Sequence, residues 1–239
     1  MTPTYVINEV YDVFRPYRLG EDFETNCLHI SPKLAAKLIK SPLRSLTLED
    51  FGAYPQKAMT TWGTDRHLRY FLPRLIDLLH EDTYNDAWHY EVFLGKLAYA
   101  QWWEWSAAEK NCIQSALLTI WIQTLSRAPR WWGDDLCDSL LCGFGSAQIA
   151  LADFLNGWSN ASEMEALLHL ASFVELNIDP VRDYGRLFNS FWHANSAGSQ
   201  EVLAWLTSAQ VADRLLEKVD ELTPEQQLAT HQLAEMVNR

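Results

Sequence analysis

The stretch TTWGTDRHLRYFLPRLIDLLHED, residues 60–82, decides the fold class. Six apolar residues recur in it at i, i+3, i+4, i+7, i+8 and i+11, which is the period of one buried helical face: Leu68, Phe71, Leu72, Leu75, Ile76 and Leu79. Pro73 falls on the opposite, polar side, where it bends a helix without unpacking its core. The stretch therefore predicts a bent amphipathic helix over 65–82. His67 and His80 point in different directions around such a helix, so they do not form a metal site together.

Helix start signals recur along the rest of the chain. They are Ser31-Pro32, Thr47 with Asp50, Ser106 with Glu109, and Thr223-Pro224 with Gln226. The sequence predicts at least ten helices, over 4–15, 32–41, 48–60, 65–82, 87–100, 107–127, 134–143, 146–157, 161–177, 181–193, 199–220 and 224–238. The predicted fold is all-α, either an irregular helical bundle or a HEAT/armadillo-like stack of antiparallel helix hairpins.

The domain organisation follows from the short joints between these helices. No long linker divides the chain, so a single domain over residues 1–239 is predicted, with a possible subdivision near residue 130. The charge distribution supports that subdivision. Residues 1–132 carry 15 acidic and 14 basic side chains, whereas residues 133–239 carry 16 acidic and 5 basic ones. The C-terminal half therefore holds nearly all of the net charge of −12.

The acidic charge bears on partners and compartment. It repels nucleic acid and anionic membranes and attracts a basic protein, although an acidic surface also serves solubility alone. No stretch reaches the ~18 uninterrupted apolar residues of a membrane span, and MTPTYVINEVYDVF lacks the pattern of an export signal. Cys27, Cys112, Cys137 and Cys142 form no CxxC pair, which is typical of reduced thiols. We expect a cytoplasmic protein.

One segment has the form of a metal site. Asp134, Asp135 and Asp138 match the DDxxD pattern that holds magnesium and diphosphate in isoprenoid synthases. The second metal-binding pattern of terpene cyclases, imitated by Asn156, Ser159 and Glu163, follows after only some twenty residues, across a predicted turn. Carboxylates in a first helical turn are also favoured by the helix dipole without a metal. No HExxH, GxSxG or phosphate-binding glycine loop occurs. We expect no metal, no cofactor and no enzymatic activity, with a magnesium-dependent enzyme as the less favoured alternative.

Tryptophan is unusually frequent, with 11 residues, and it clusters at two helix junctions. The clusters are Trp102, Trp103 and Trp105 in AQWWEWS, and Trp131 and Trp132 in APRWWGDD. Adjacent side chains cannot all face one core, so at least one in each cluster should be partly exposed. They serve either to join neighbouring helices or to anchor a partner, because aromatic residues beside charges are typical of binding hot spots.

Part of the N-terminal half resembles a known family. CLHISP (27–32), LTLEDFGAYPQKAMTTWG (46–63) and YFLPRLIDLL (70–79) are similar to segments of a widespread, poorly characterised family of bacterial helical proteins. Its first segment usually holds a second cysteine that forms a possible metal or redox pair. This chain has only Cys27 there, with His29 and Ile30 nearby. Some members resemble immunity proteins of polymorphic, Rhs-type toxins, and the resemblance implies that role here.

The sequence thus predicts an immunity protein that binds a cognate antibacterial toxin and occludes its active or substrate-binding site. The predicted partner is a toxin with a basic surface, and neither nucleic acid nor membrane is expected to bind. The predicted partner-binding residues are Trp131, Trp132, Asp134, Asp135, Asp138, Trp102, Trp103 and Trp105. The alternative is a helical adaptor or scaffold without a toxin partner.

Overall fold

A computed structural model describes residues 3–20, 22–23, 31–83, 85, 88–130, 135–193 and 195–238. The predicted all-α fold is confirmed: within these residues there are thirteen α-helices and no β-sheet, apart from one isolated bridge between Ala58 and Trp62. The helices are α1 Pro3–Phe14, α2 Pro32–Lys40, α3 Leu48–Phe51, α4 Tyr54–Lys57, α5 Asp65–Glu81, α6 Tyr90–Tyr99, α7 Ala107–Leu125, α8 Leu136–Ser146, α9 Ala152–Asn160, α10 Met164–Tyr184, α11 Ala197–Leu206, α12 Ala209–Leu216 and α13 Pro224–Val237.

The helices group into two compact units. Unit 1 comprises residues 1–120 and unit 2 comprises residues 121–239. The single domain over residues 1–239 stays a prediction. Among the described residues, none of the helices is both long and apolar enough to cross a membrane.

Helix α5 packs against α1 in unit 1. All six residues of its predicted stripe are at most 1% exposed, which confirms the predicted buried face. The helix begins after Thr64, whose backbone N–H donates to Nδ1 of His67 at 3.0 Å. Because that nitrogen accepts a hydrogen bond from the cap, and the residue is 1% exposed, His67 has a structural role at the start of the helix.

The sequence predicts that the side of α5 around Pro73 is polar, and this prediction is wrong. Pro73 is buried, and so is the neighbouring Arg74. The Arg74 guanidinium donates to the backbone carbonyl of Leu46 at 2.7 Å and to Asp77 at 2.7 Å. The ion pair with Asp77 and the hydrogen bond to the Leu46 carbonyl together allow the charged Arg74 side chain to lie inside the core. Helix α5 is therefore enclosed on more sides than its apolar stripe indicates.

The single helix predicted over 48–60 is wrong, because this segment forms two short helices, α3 and α4. Gly52 adopts φ +52° and ends α3. A left-handed conformation is favourable for glycine and breaks the helical hydrogen-bond series at that point. The capping box at the start of α3 is confirmed, since the Thr47 side chain and Asp50 each accept from the other's backbone N–H.

Unit 2 is built on α10, which packs against α8, α12 and α13. Its largest fully buried side chains are Trp121, Phe144, Phe154, Trp158 and Phe173. Trp121 Nε1 donates to the carbonyl of Phe154 at 3.0 Å, and Trp158 Nε1 donates to that of Ala166 at 2.9 Å. The polar edge of each indole is thus satisfied inside an apolar core.

The helix boundaries of unit 2 differ from the prediction in three places. Helix α10 continues through Pro180 to Tyr184, so the predicted joint near 177 and the predicted helix over 181–193 are wrong. The helix predicted over 199–220 is divided at Ser208, whose side chain caps α12 by accepting from the Val211 N–H. Helix α8 continues to Ser146, beyond its predicted end at 143, and helix α9 begins at Ala152, six residues later than predicted.

Candidate protein-binding surfaces

The first tryptophan cluster lies at a 3-10 turn between α6 and α7. Trp102 and Trp105 are 6% and 4% exposed, whereas Trp103 is 41% exposed. Trp105 is fixed by a hydrogen bond from its Nε1 to the Ala100 carbonyl at 3.1 Å and by the Arg69 guanidinium, 4.1 Å above its ring. One member of the cluster is exposed, as expected, and it is Trp103. Trp102 and Trp105 serve the core.

A network of charged groups supports this turn. Arg69 donates to Tyr17 Oη at 2.6 Å and to Glu109 Oε1 at 3.0 Å, and Tyr17 donates to the same carboxylate at 2.5 Å. Glu109 also accepts from the backbone N–H of Ser106 at 2.9 Å, which confirms the predicted capping box. Burial alone would raise the pKa of Glu109, but the hydrogen bonds from Tyr17 and Ser106 and the Arg69 charge lower it. The network fixes the start of α7.

The second tryptophan cluster and the aspartates that follow it are described only from Asp135 onward. Trp131, Trp132 and Asp134 lie outside the described residues. Asp135 is exposed and directly precedes α8. Asp138 is 2% exposed, so it is not available as a surface contact and the expectation that it forms part of an acidic docking surface is corrected.

Asp138 instead participates in a buried hydrogen-bond chain. Its Oδ1 accepts from Nδ2 of Asn177 on α10 at 3.3 Å. Oδ1 of Asn177 in turn accepts from the backbone N–H of Phe188 at 2.8 Å. Asn177 is 0% exposed, so its amide joins α8 and α10 to the segment that follows α10. One residue of the predicted site therefore positions a surface that the sequence did not predict.

That surface is residues 184–191, YGRLFNSF, which we call the aromatic loop. Tyr184 is 73% exposed, and Phe188 and Phe191 are each 51% exposed. Soluble proteins rarely leave several large apolar side chains exposed close together unless something binds there. The aromatic loop is therefore the strongest candidate binding surface of unit 2.

The aromatic loop is held in place from three sides. Gly185 ends α10 in a left-handed conformation with φ +63°, and Leu187 is 3% exposed. Directly after the loop, the Trp192 ring lies so close to Gly145 of α8 that a Cβ atom at Gly145 would overlap it. The exposed rings are thus presented on an anchored backbone, which lowers the entropy lost on binding.

Sequence reasoning missed this surface because it assigned 181–193 to a helix. The segment contains four aromatic residues between 184 and 192, and Gly185 in it is a typical helix end. Those two signals together would have predicted a helix terminus followed by an aromatic loop. Which of its apolar side chains are exposed depends on Asn177 and Gly145, which are distant in sequence.

Unit 2 as a whole is strongly acidic. Residues 121–239 carry 16 acidic and 7 basic side chains. Arg214 is not available to a partner's carboxylates, because its guanidinium donates to the backbone carbonyls of Trp158 and Ala161 at the end of α9. Burial there lowers the pKa of Arg214. Arg182 pairs with Asp179 and Asp183, and Lys218 pairs with Glu221.

The residues of the predicted metal patterns do not form a cation site in the described part of the chain. No group of three or more His, Cys, Asp or Glu side chains with metal-binding geometry occurs there. Cys27 and His29 lie outside the described residues. Cys112 is buried, and burial raises the pKa of its thiol to about 12, so it is a poor thiolate ligand or nucleophile. Comparison of the chain with protein-family models, curated proteins and solved structures finds no match.

Proposed function

We propose that this chain binds a protein with a basic surface and neutralises it, as an immunity protein that occludes the active or substrate-binding site of a cognate antibacterial toxin. The observation that carries the proposal is the acidic excess of unit 2, 16 acidic against 7 basic side chains. One of the seven cations, Arg214, is occupied by backbone carbonyls. Toxins that act on RNA or nucleotides bind anionic substrates in basic clefts, and an acidic surface complements such a cleft.

The negative charge of unit 2 acts mainly before the chain and its partner touch. Exposed carboxylates steer a basic partner toward unit 2 and raise the association rate, while salt screens them over ~8 Å at physiological ionic strength. Affinity then requires apolar anchors that become buried. Trp103 is the exposed member of the predicted set in unit 1. In unit 2, Asp135 is an exposed carboxylate that follows Trp131 and Trp132 in the sequence.

The magnesium-dependent alternative is disfavoured by the position of Asp138. Its carboxylate is buried and accepts from Asn177, whereas a DDxxD site needs all three carboxylates directed at one ion. Buried thiols at Cys112, Cys137 and Cys142 are compatible with a reducing compartment, and we place the proposed function in the cytoplasm.

The test uses the protein encoded by the gene adjacent to the gene for this chain. Association with the full chain is measured by surface binding kinetics at two salt concentrations. One variant removes two exposed carboxylates of unit 2, Asp213→Asn with Glu217→Gln. The matched control removes two exposed carboxylates of unit 1, Asp12→Asn with Glu49→Gln, which lie outside the predicted partner-binding residues. We expect the on-rate to fall with salt and to fall several-fold more in the unit 2 variant.

A growth assay completes the test. Co-expression of the full chain should restore the growth of cells that produce the toxin, and the toxin's activity on its substrate should fall as the chain is added. A salt-independent on-rate that is equal in both variants would remove the electrostatic basis of the proposal. Tight binding without protection would instead assign the chain to the adaptor or scaffold class.

A further inference from the structure

The aromatic loop differs in charge from the rest of unit 2. Residues 179–191 contain two acidic and two basic side chains, Asp179, Arg182, Asp183 and Arg186, so this segment is formally neutral. The remainder of residues 121–239 carries 14 acidic and 5 basic side chains. The exposed rings of Tyr184, Phe188 and Phe191 therefore lie on a segment that carries no net charge of its own.

Its charges are also incompletely paired. Arg182 serves two carboxylates, lying 2.7 Å from Asp179 and 2.8 Å from Asp183. Arg186 lies over the Tyr184 ring, 5.6 Å from its centroid, and forms no ion pair with any residue that the structure describes. The segment thus offers the exposed guanidinium of Arg186 to a carboxylate of a partner. It also offers the carboxylates of Asp179 and Asp183, which share the single cation of Arg182.

We propose that a second copy of this chain binds to the aromatic loop, forming a two-fold symmetric dimer. In a two-fold interface the same segment faces itself in the opposite direction. Arg186 of each copy then meets Asp183 of the other, while Tyr184, Phe188 and Phe191 form the apolar centre. For a chain with a net charge of −12, self-association is least opposed where the local charge is zero. The dimer goes beyond the proposed function and uses a different surface from the acidic one.

The dimer is expected to be weak. Three rings that are half or more exposed contribute roughly 300 Å² of aromatic surface in each copy. Stable complexes bury about 800 Å² per partner, so the loop and its rim give a transient interface. We expect a dissociation constant on the order of 10 to 100 µM.

Sedimentation equilibrium of the full chain, from about 5 to 500 µM, tests the dimer directly. The wild-type chain should shift from monomer to dimer across this range. Phe188→Ser combined with Phe191→Ser should raise the dissociation constant at least about tenfold. The control is Leu228→Ser on α13, also in unit 2 and 60% exposed, which should dimerise as the wild type does. A monomer at every concentration, or equal dimerisation of all three proteins, would overturn the proposal.

A charge exchange tests the symmetry. Arg186→Glu alone and Asp183→Arg alone should each weaken the dimer. In either variant, residue 186 of each copy faces a like charge at residue 183 of the other copy, and the two-fold axis repeats this contact. An equimolar mixture of the two variants should associate again, since both contacts then join opposite charges. Failure of the mixture to associate would overturn the two-fold arrangement even if the wild type dimerises. If circular dichroism shows that the double phenylalanine variant does not fold, the charge exchange alone tests the dimer.

Discussion

The backbone N–H of Phe188 donates to Oδ1 of Asn177 at 2.8 Å, so a fully buried amide on α10 determines where an exposed ring lies. The same amide donates from Nδ2 to Asp138 at 3.3 Å and to the Phe173 carbonyl at 2.9 Å. Every polar atom of the Asn177 side chain is therefore satisfied. A substitution there removes three hydrogen bonds at once, and two of them hold groups outside α10.

Asn177→Ala should lower the free energy of unfolding by about 1–3 kcal/mol, because it removes three hydrogen bonds, one of them to the buried carboxylate of Asp138. The amide proton of Phe188 should also exchange with solvent faster. The control is Asn160→Ala, whose exposed side chain bonds only to a carbonyl of its own helix at 2.8 Å and should cost about 0.5 kcal/mol or less. Denaturant unfolding and hydrogen exchange give the two readouts, and an unchanged Phe188 exchange rate would contradict the positioning role.

Leu75→Ala should lower the free energy of unfolding by about 2–5 kcal/mol, since the side chain is 0% exposed and its removal leaves a cavity in the core of unit 1. Leu228→Ala, which makes the same chemical change at a 60% exposed position, should cost less than about 0.5 kcal/mol. The measurement is urea unfolding of both variants. A loss below about 1 kcal/mol at Leu75 would be incompatible with its place in the buried stripe of α5.

Trp105→Ala should be more destabilising than Trp103→Ala by at least about 2 kcal/mol. Trp105 is 4% exposed and is held by Ala100 and Arg69, whereas Trp103 is 41% exposed. If Trp103 anchors a partner, its truncation should accelerate dissociation while the fold stays intact. Thermal unfolding and dissociation kinetics separate the two effects. Equal stability losses in the two variants would contradict the division between core and surface within this cluster.

Glu175→Gln should increase stability at neutral pH. Burial, and then the charge of Glu225, raise the pKa of the Glu175 carboxyl, and its Oε2 is buried without a hydrogen-bond partner. The folded state therefore holds this proton at pH values where the unfolded chain has released it. Stability is lost as the pH rises from the unfolded pKa of about 4.3 through the raised folded value, and the loss is complete above it.

The stability gain of Glu175→Gln should accordingly be present at pH 7 and absent at about pH 3, where both states bind the proton. Glu235→Gln, at an exposed position of α13, is the control and should have little effect at either pH. The measurement is the unfolding free energy as a function of pH. A gain of the same size at both pH values would show that a packing change, and not the charge, is responsible.

The sequence was sufficient where local chemistry decides the structure. The α5 stripe and the caps at Thr47, Ser106 and Thr223 are formed by residues within a few positions of one another, and the structure confirms them. Pro180 was misread because a proline usually ends a helix. Here Val181 is 8% exposed, so α10 has an apolar contact beyond the proline that no local pattern reveals.

The candidate site was less predictable than the fold for the same reason. The composition of the aromatic loop is visible in the sequence, but the burial of Leu187 and the exposure of Phe188 are set by Asn177, eleven positions away. Likewise, Asp138 resembles a surface carboxylate until its neighbour on α10 is known. Exposure is decided by contacts between helices, and charge patterns alone do not report it.

The bond between Arg214 and the end of α9 has a dynamic consequence. The guanidinium on α12 donates to the carbonyls of Trp158 and Ala161, so α9 cannot unwind from its C-terminus unless α12 also releases its side chain. Helices joined in this way open as one cooperative segment. The slowly exchanging amides of α9 and α12 should therefore share a single opening free energy, and Arg214→Met should separate it into two.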